Sequence, residues 1–125
     1  MRTVDDIRRY LAMSAEPFEE VREGTWVLQL QPQDLQLVIR IEPPVLVFRM
    51  FVMKRPAKNL EAFYAALLTM NGKDLLHGAF ALEGDQVVLV DTLQVENLDL
   101  NEFQASIDSF SLAMGQLHQE LAKFV

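Results

Sequence analysis

The chain has no cysteine, which removes a disulfide framework and any thiolate metal site. Glycine and proline are sparse, five of each in 125 residues, while half the residues are apolar, a composition that excludes a disordered chain. No apolar run nears the ~18 residues that mark a membrane span. The opening stretch MRTVDDIRRY lacks the apolar core of a signal peptide. Basic residues are short too: 11 Lys and Arg stand against 18 Asp and Glu, a net charge of −7. Nucleic-acid phosphates need a basic footprint, so no nucleic-acid partner is expected; a neutral or basic partner suits the charge. With no membrane segment and no thiol chemistry, the expectation is a cytoplasmic protein.

What is present reads as a single domain over residues 1–125, long enough to bury roughly two-thirds of its unfolded surface. There is no repeat, low-complexity tract or dividing linker. Thr3 and Asp6 make a capping-box-like start, and Val4, Ile7 and Leu11 give a short amphipathic helix that ends before Pro17. In TWVLQLQ, Trp26, Leu28 and Leu30 share one face and Gln29 and Gln31 the other. After Pro32, Gln33 and Asp34, the run LQLVIRIE turns Leu35, Leu37, Ile39 and Ile41 inward against Gln36, Arg40 and Glu42. Pro43-Pro44 ends that strand, because neither proline can donate to a ladder.

The next run, VLVFRMFVM, is apolar on both faces: Leu46, Phe48, Met50 and Val52 on one, Val45, Val47, Phe51 and Met53 on the other, with Arg49 the only interruption. Asn59 then caps a helix, NLEAFYAALLTMNG, whose core stripe is Leu60, Phe63, Leu67 and Met70, with Gly72 at its C′ position. GAFALEGDQVVLVDTL reads as a β-hairpin closed by Gly84-Asp85 in a primed turn. Its register sets Leu82 against Val87 and Phe80 against Leu89 on one face. Ala79, Ala81, Val88 and Val90 occupy the other. A sheet with one wet side should alternate apolar and polar, and this hairpin does not.

The last helix is the best-specified element. Asp99 at the N-cap and Glu102 at N3 form a capping box, and Leu98 and Phe103 form a hydrophobic staple. Leu100, Phe103, Ile107, Phe110, Met114, Leu117, Leu121 and Phe124 alternate spacings of three and four, a stripe about seven turns long. The flanking positions lack the paired charges of a coiled coil, so the stripe is expected to lie along the sheet. The order is therefore α-β-β-β-α-β-β-α, an α+β domain with three helices and one mainly antiparallel five-stranded sheet.

No catalytic constellation emerges. His77 precedes the hairpin glycine, and His118 lies one step off the helix stripe; neither is followed by a second ligand at i+3 or i+4 in a metal arrangement. Asp5 and Asp6 suit the dipole of the first helix. Ser106, Ser109 and Ser111 are expected on the polar side of the last helix, without a nucleophile elbow or a base. No phosphate-loop spacing of glycines occurs. The basic run Lys54-Arg55-Pro56-Ala57-Lys58 reads as a solvated turn, with an anion or acidic peptide as the sharper alternative. A non-enzymatic protein without metal or redox cofactor is expected, whose stability does not depend on a divalent ion.

The chain resembles the type III secretion chaperone-like superfamily, and within it is similar to the CesT/Tir-chaperone and YbjN-type proteins. The residues that carry the resemblance lie between 67 and 110: LLTMN, GAFAL, the hairpin, ENLD and the start of the long helix. The matching order of elements covers almost the whole chain. The resemblance implies a small acidic homodimer that binds an extended segment of a client or effector protein and keeps it unfolded. The alternative it implies is a YbjN-like dimeric regulatory or scaffold protein with no unfolded client.

The hairpin and VLVFRMFVM leave one sheet face apolar with no helix assigned to it, unless the N-terminal or middle helix crosses to it. Large apolar patches are uncommon on monomers, so a second copy of the chain is expected to cover Ala79, Ala81, Val88, Val90 and Val47. The rival interface is the middle helix around Phe63, Tyr64 and Leu68. On this reading Val88→Glu dissociates the dimer more than it unfolds the subunit.

Overall fold

The structure is a computed structural model that describes residues 1–31 and 34–125. Pro32 and Gln33 of the turn expected after TWVLQLQ lie outside the described residues. The elements are α1 (Val4–Ala12), β1 (Phe18–Arg22), β2 (Thr25–Leu30), β3 (Leu35–Glu42), β4 (Val45–Lys54), α2 (Leu60–Lys73), β5 (Ala79–Glu83), β6 (Gln86–Gln94) and α3 (Leu100–Ala122). The strands form one sheet in the order β1-β2-β3-β4-β6-β5, antiparallel at every pairing.

The sheet has six strands, not five. The added strand is β1, FEEVR, which pairs Phe18 with Leu28 and Glu20 with Trp26. It hides no residue from solvent, and a register shift between Glu20 and Arg22 breaks its alternation. Its backbone partners define it, and these leave no hydrophobic pattern to read.

Period-2 alternation fixes the inner face of the sheet. Trp26, Leu28, Leu37, Ile39, Leu46, Phe48, Met50, Val87 and Leu89 are buried there. The α3 stripe lies against them as expected: Phe103, Ile107, Phe110, Met114, Leu117 and Leu121 are all buried. Phe48 meets the rings of Phe103 and Phe110 at 6.0 and 6.2 Å. Ile7 and Leu11 of α1 and Phe63, Leu67 and Met70 of α2 join the same core cluster. All three helices therefore bury their apolar residues on one side of the sheet.

Local chemistry sets the ends of the helices. Asp99 Oδ1 accepts from the Glu102 N–H at 2.8 Å, and Asp6 Oδ2 accepts from the Thr3 N–H at 2.8 Å. Asn59 holds the N-cap place of α2 in a left-handed conformation, without a side-chain cap bond, so it is not the cap its chemistry suggested. Gly72 lies inside α2, which runs on to Lys73 with Asp74 at the C-cap. The hairpin register is the expected one, with Gly84 at φ 60° in the turn. In β4 a register shift between Phe51 and Met53 turns Met53 to the core side opposite Val87. Met53 therefore leaves the face to which strict alternation assigned it.

Candidate protein-binding surface

The outer face of the sheet is built from the other half of each strand's alternation. Rows run across it by register: Val27, Val38, Arg49, Val90 and Ala79 in one, and Arg40, Val47 and Thr92 in another. Phe51, Val88 and Ala81 form a third. None of these residues belongs to the hydrophobic core cluster. The helices lie on the opposite side, so this face is closed by side chains of the sheet alone.

The structure brings together five of the eight residues expected at an interface. Ala79 pairs with Val90 and Ala81 with Val88, and Val47 lies on the same face in β4. Phe51, exposed at 49%, is the largest apolar side chain among them. Val88 differs: it is only 2% exposed within the single chain, flanked in its row by Phe51 and Ala81. A carboxylate there would be desolvated in the subunit itself, so Val88→Glu does not separate association from folding. Arg49 is paired with Glu83 and Arg40 with Glu42, so these two cations are each partnered by a carboxylate.

The three α2 residues do not share one environment. Phe63 is fully buried and packs edge-on against Phe124 at 5.3 Å. Tyr64 is half-buried, and its hydroxyl accepts from Arg55 Nη1 at 3.3 Å. Leu68 alone is open, at 71%. A rival interface on α2 would rest on one leucine.

Sequence reasoning missed the surface at β1. Phe18 is exposed at 44% and Val21 at 51%, beside a groove of ≈390 Å³ that Val27, Gln29 and Gln36 also line. β1 is the last strand on its side of the sheet. The Gln29 N–H donates to the Pro17 carbonyl at 3.1 Å. Residue 17 thus faces β2, and by alternation the backbone groups of Phe18 and Glu20 point away from the sheet. The signal was available as two apolar residues, Phe18 and Val21, between Pro17 and Gly24, too short and too polar to stand out.

α1 is fastened beside this edge. Arg8 gives the Glu20 carboxylate two hydrogen bonds, at 2.8 and 2.7 Å, and the buried Trp26 indole N–H gives a third at 2.9 Å. These donors, Arg8 first, hold the Glu20 carboxyl down at about 2. The Leu98 carbonyl accepts from both Arg2 Nε, at 2.6 Å, and the Tyr10 hydroxyl, at 2.9 Å.

The basic run at the β4–α2 connection borders a groove of ≈440 Å³ with Met53, Pro56 and Phe124. Lys54 lies 3.4 Å from Asp85, and Arg55 is tied to Tyr64. Among the described residues no set of three or more His, Asp or Glu side chains is placed to hold a metal ion, and no helix is long and apolar enough to cross a membrane. His77 and His118 are both exposed. Ser106 is fully buried and faces the sheet, so the expectation that it lies on the polar side of α3 is corrected.

The family model CesT_Tir_1 matches residues 1–125. No curated protein matches the chain. Among solved structures the chain is similar to YbjN from E. coli, at 15% identity and a TM-score of 0.68 over 95% of this chain and 93% of that one. It is similar to the heterodimeric complex ExoU-SpcU from the type III secretion system of Pseudomonas aeruginosa, at 20% identity and TM-score 0.68, covering 95% and 97%. It is also similar to the HopA1-SchA chaperone-effector complex, at 15% identity and TM-score 0.58, covering 90% and 88%. At these identities the likeness is one of fold.

Proposed function

Because the chain belongs to the CesT_Tir_1 family, we propose that it is a non-catalytic, cytoplasmic protein-binding chaperone. It acts as a homodimer and holds an extended segment of a client protein. The observation that carries this reading is the uncovered side of the sheet. An edge strand with outward backbone groups carries exposed Phe18 and Val21, and the outer face of the sheet, which no helix covers, adjoins it. An extended segment binds such an edge by main-chain hydrogen bonds, with apolar side chains seated in the adjoining groove. The likeness in fold to a chaperone-effector complex and to a heterodimeric type III secretion complex supports the same reading.

The dimer rests on a separate argument. Phe51, Val47, Val90, Ala79 and Ala81 form a patch that no helix covers, and a two-fold contact is the commonest way to close one. The two small alanines let a partner approach closely. YbjN has the same TM-score as the secretion complex, so fold alone supports a dimeric regulatory or scaffold role equally. The exposed apolar edge at β1 favours the client-binding role.

Two measurements test the proposal. Sedimentation equilibrium should give twice the 14.3 kDa chain mass, and Phe51→Glu should return it to one chain without loss of the thermal transition. A parent that stays monomeric at high concentration removes the dimer. For the client, proteins captured from the source cell are identified and the bound segment remade as a peptide. Its amides should become protected on binding, and Phe18→Asp or Val21→Asp should abolish that protection. Binding indifferent to both substitutions overturns the client site.

A further inference from the structure

The sheet has two edges, and they are not alike. β1 is open along its outer side. β5, at the other end, has a neighbour that is not a strand. The Phe80 N–H donates to Asn71 Oδ1 at 2.7 Å, and Asn71 Nδ2 donates to the Phe80 carbonyl at 3.2 Å. One carboxamide on α2 therefore satisfies both backbone groups of one edge residue. A residue in an antiparallel partner strand offers the same pair, one acceptor and one donor.

The register shows why this residue matters. Phe80 pairs with Leu89 across β6, yet its N–H and carbonyl go to Asn71, so they point away from β6. By alternation Ala81 faces β6 and Leu82 points outward again. β5 runs only from Ala79 to Glu83, so Phe80 and Leu82 carry its outward backbone groups. Asn71 takes one of the two sets. A partner strand would then have a single residue to pair with, too little for a ladder. An exposed edge with both sets free is a template for its own copy, because a second β5 brought up across a two-fold axis is antiparallel by symmetry.

We propose that Asn71 determines which strands the sheet accepts: its carboxamide stands in for a strand at Phe80 and bars a second copy of the chain from pairing through β5. The inference is independent of the client reading, since it concerns pairing between copies and is read from mass and amide exchange without any client.

The test compares the parent with Asn71→Leu, which keeps side-chain size and helix preference but cannot hydrogen bond. The variant is expected to sediment at twice the parent's mass if the parent is a single chain, and at twice or more if the parent is a dimer, which would carry two freed β5 edges. The Phe80 amide should exchange at least about tenfold faster when the variant is diluted below association. Adding Leu82→Pro removes the remaining outward N–H without touching the β6 ladder, and should restore the parental mass. An Asn71→Leu variant that keeps the parental mass at every concentration overturns the proposal. The parent supplies a test that needs no variant. Slow exchange at Phe80, on a strand with no outer strand beside it, supports the proposal, and exchange as fast as that of an open edge amide overturns it.

Discussion

Phe48 and Asp91 are direct partners across β4 and β6, so a carboxylate stands in the inner row of the sheet beside an aromatic ring. Its Oδ2 accepts from the Ser106 hydroxyl of α3 at 3.2 Å, and its Oδ1 accepts from the Thr92 N–H at 2.9 Å. Ser106 is fully buried, and Asp91 is its hydrogen-bond acceptor in the sheet. Ser106→Ala should therefore destabilise the protein by about 1 kcal/mol, the net worth of a hydrogen bond from a buried hydroxyl to a half-buried carboxylate. Asp91→Asn, which can still accept from Ser106, should cost less than Ser106→Ala. Urea unfolding of both variants checks the order.

Phe103, Ile107 and Phe110 are fully buried where α3 crosses the sheet. Truncating any one to alanine leaves a cavity among side chains that cannot all relax, and should cost about 2–5 kcal/mol. Ser109 is half-buried, and its hydroxyl donates back to the Ser106 carbonyl within the helix. Ser109→Ala should change stability by less than about 0.5 kcal/mol. A parent-like melt for Ile107→Ala would contradict the docking of α3.

Glu20 makes stability depend on acid. Its carboxyl is held at about 2 in the folded protein, against an ordinary 4.5, chiefly by the Arg8 hydrogen bonds. Asp6 is lowered too, with the Thr3 backbone N–H as the largest cause. A depressed folded-state value means that the unfolded chain takes up the proton first. The stabilisation is then whole above the unfolded value and is lost as pH falls towards the folded one. The melting temperature of the parent should fall between about pH 4.5 and pH 2. Glu20→Gln should melt lower at neutral pH and show a shallower acid slope, because its side chain does not titrate. Parallel pH profiles for the two proteins would exclude the Arg8–Glu20 contribution.

Gly78 sits just before β5 at φ 77°, where a Cβ would lie 2.6 Å from the Val90 carbonyl oxygen. Both the left-handed backbone and the contact oppose any side chain, and the contact is with backbone that cannot swing aside. Gly78→Ala should cost about 1–3 kcal/mol. Gly84→Ala meets open space and carries only the conformational penalty, so it should be the milder of the two. Thermal melts of the pair separate close approach from backbone strain.

Most of the fold was legible because burial writes itself into spacing. The α3 stripe, the inner rows of β2 and β3 and the hairpin register all follow from apolar periods of 3.6 or 2. Three features escaped for three reasons. β1 has no buried side chain to announce it, since its place comes from backbone bonds to β2. Ser106 was assigned to the wet side of α3 by polarity, whereas its neighbours Phe103, Ile107 and Phe110 carry it inward towards Asp91. Met53 moved because one register shift in β4 reverses every position after it. The outer face of the candidate surface was readable from Ala79, Ala81 and Val90. The β1 edge with Phe18 and Val21 was not, because exposed apolar residues leave no periodic trace.

Trp26 is the only tryptophan of the chain. Its indole nitrogen donates to the same Glu20 carboxylate that Arg8 grips from α1, and the ring is fully shielded from water. A single indole thus stands at the seam where the first helix meets the first two strands. Its emission should move to the red whenever α1 lifts away, while far-ultraviolet dichroism loses at most the share of the nine-residue α1 and keeps that of the 14 and 23 residues of α2 and α3. Light absorbed at one residue can therefore distinguish a helix peeling from its seat from a domain coming apart, with no label added.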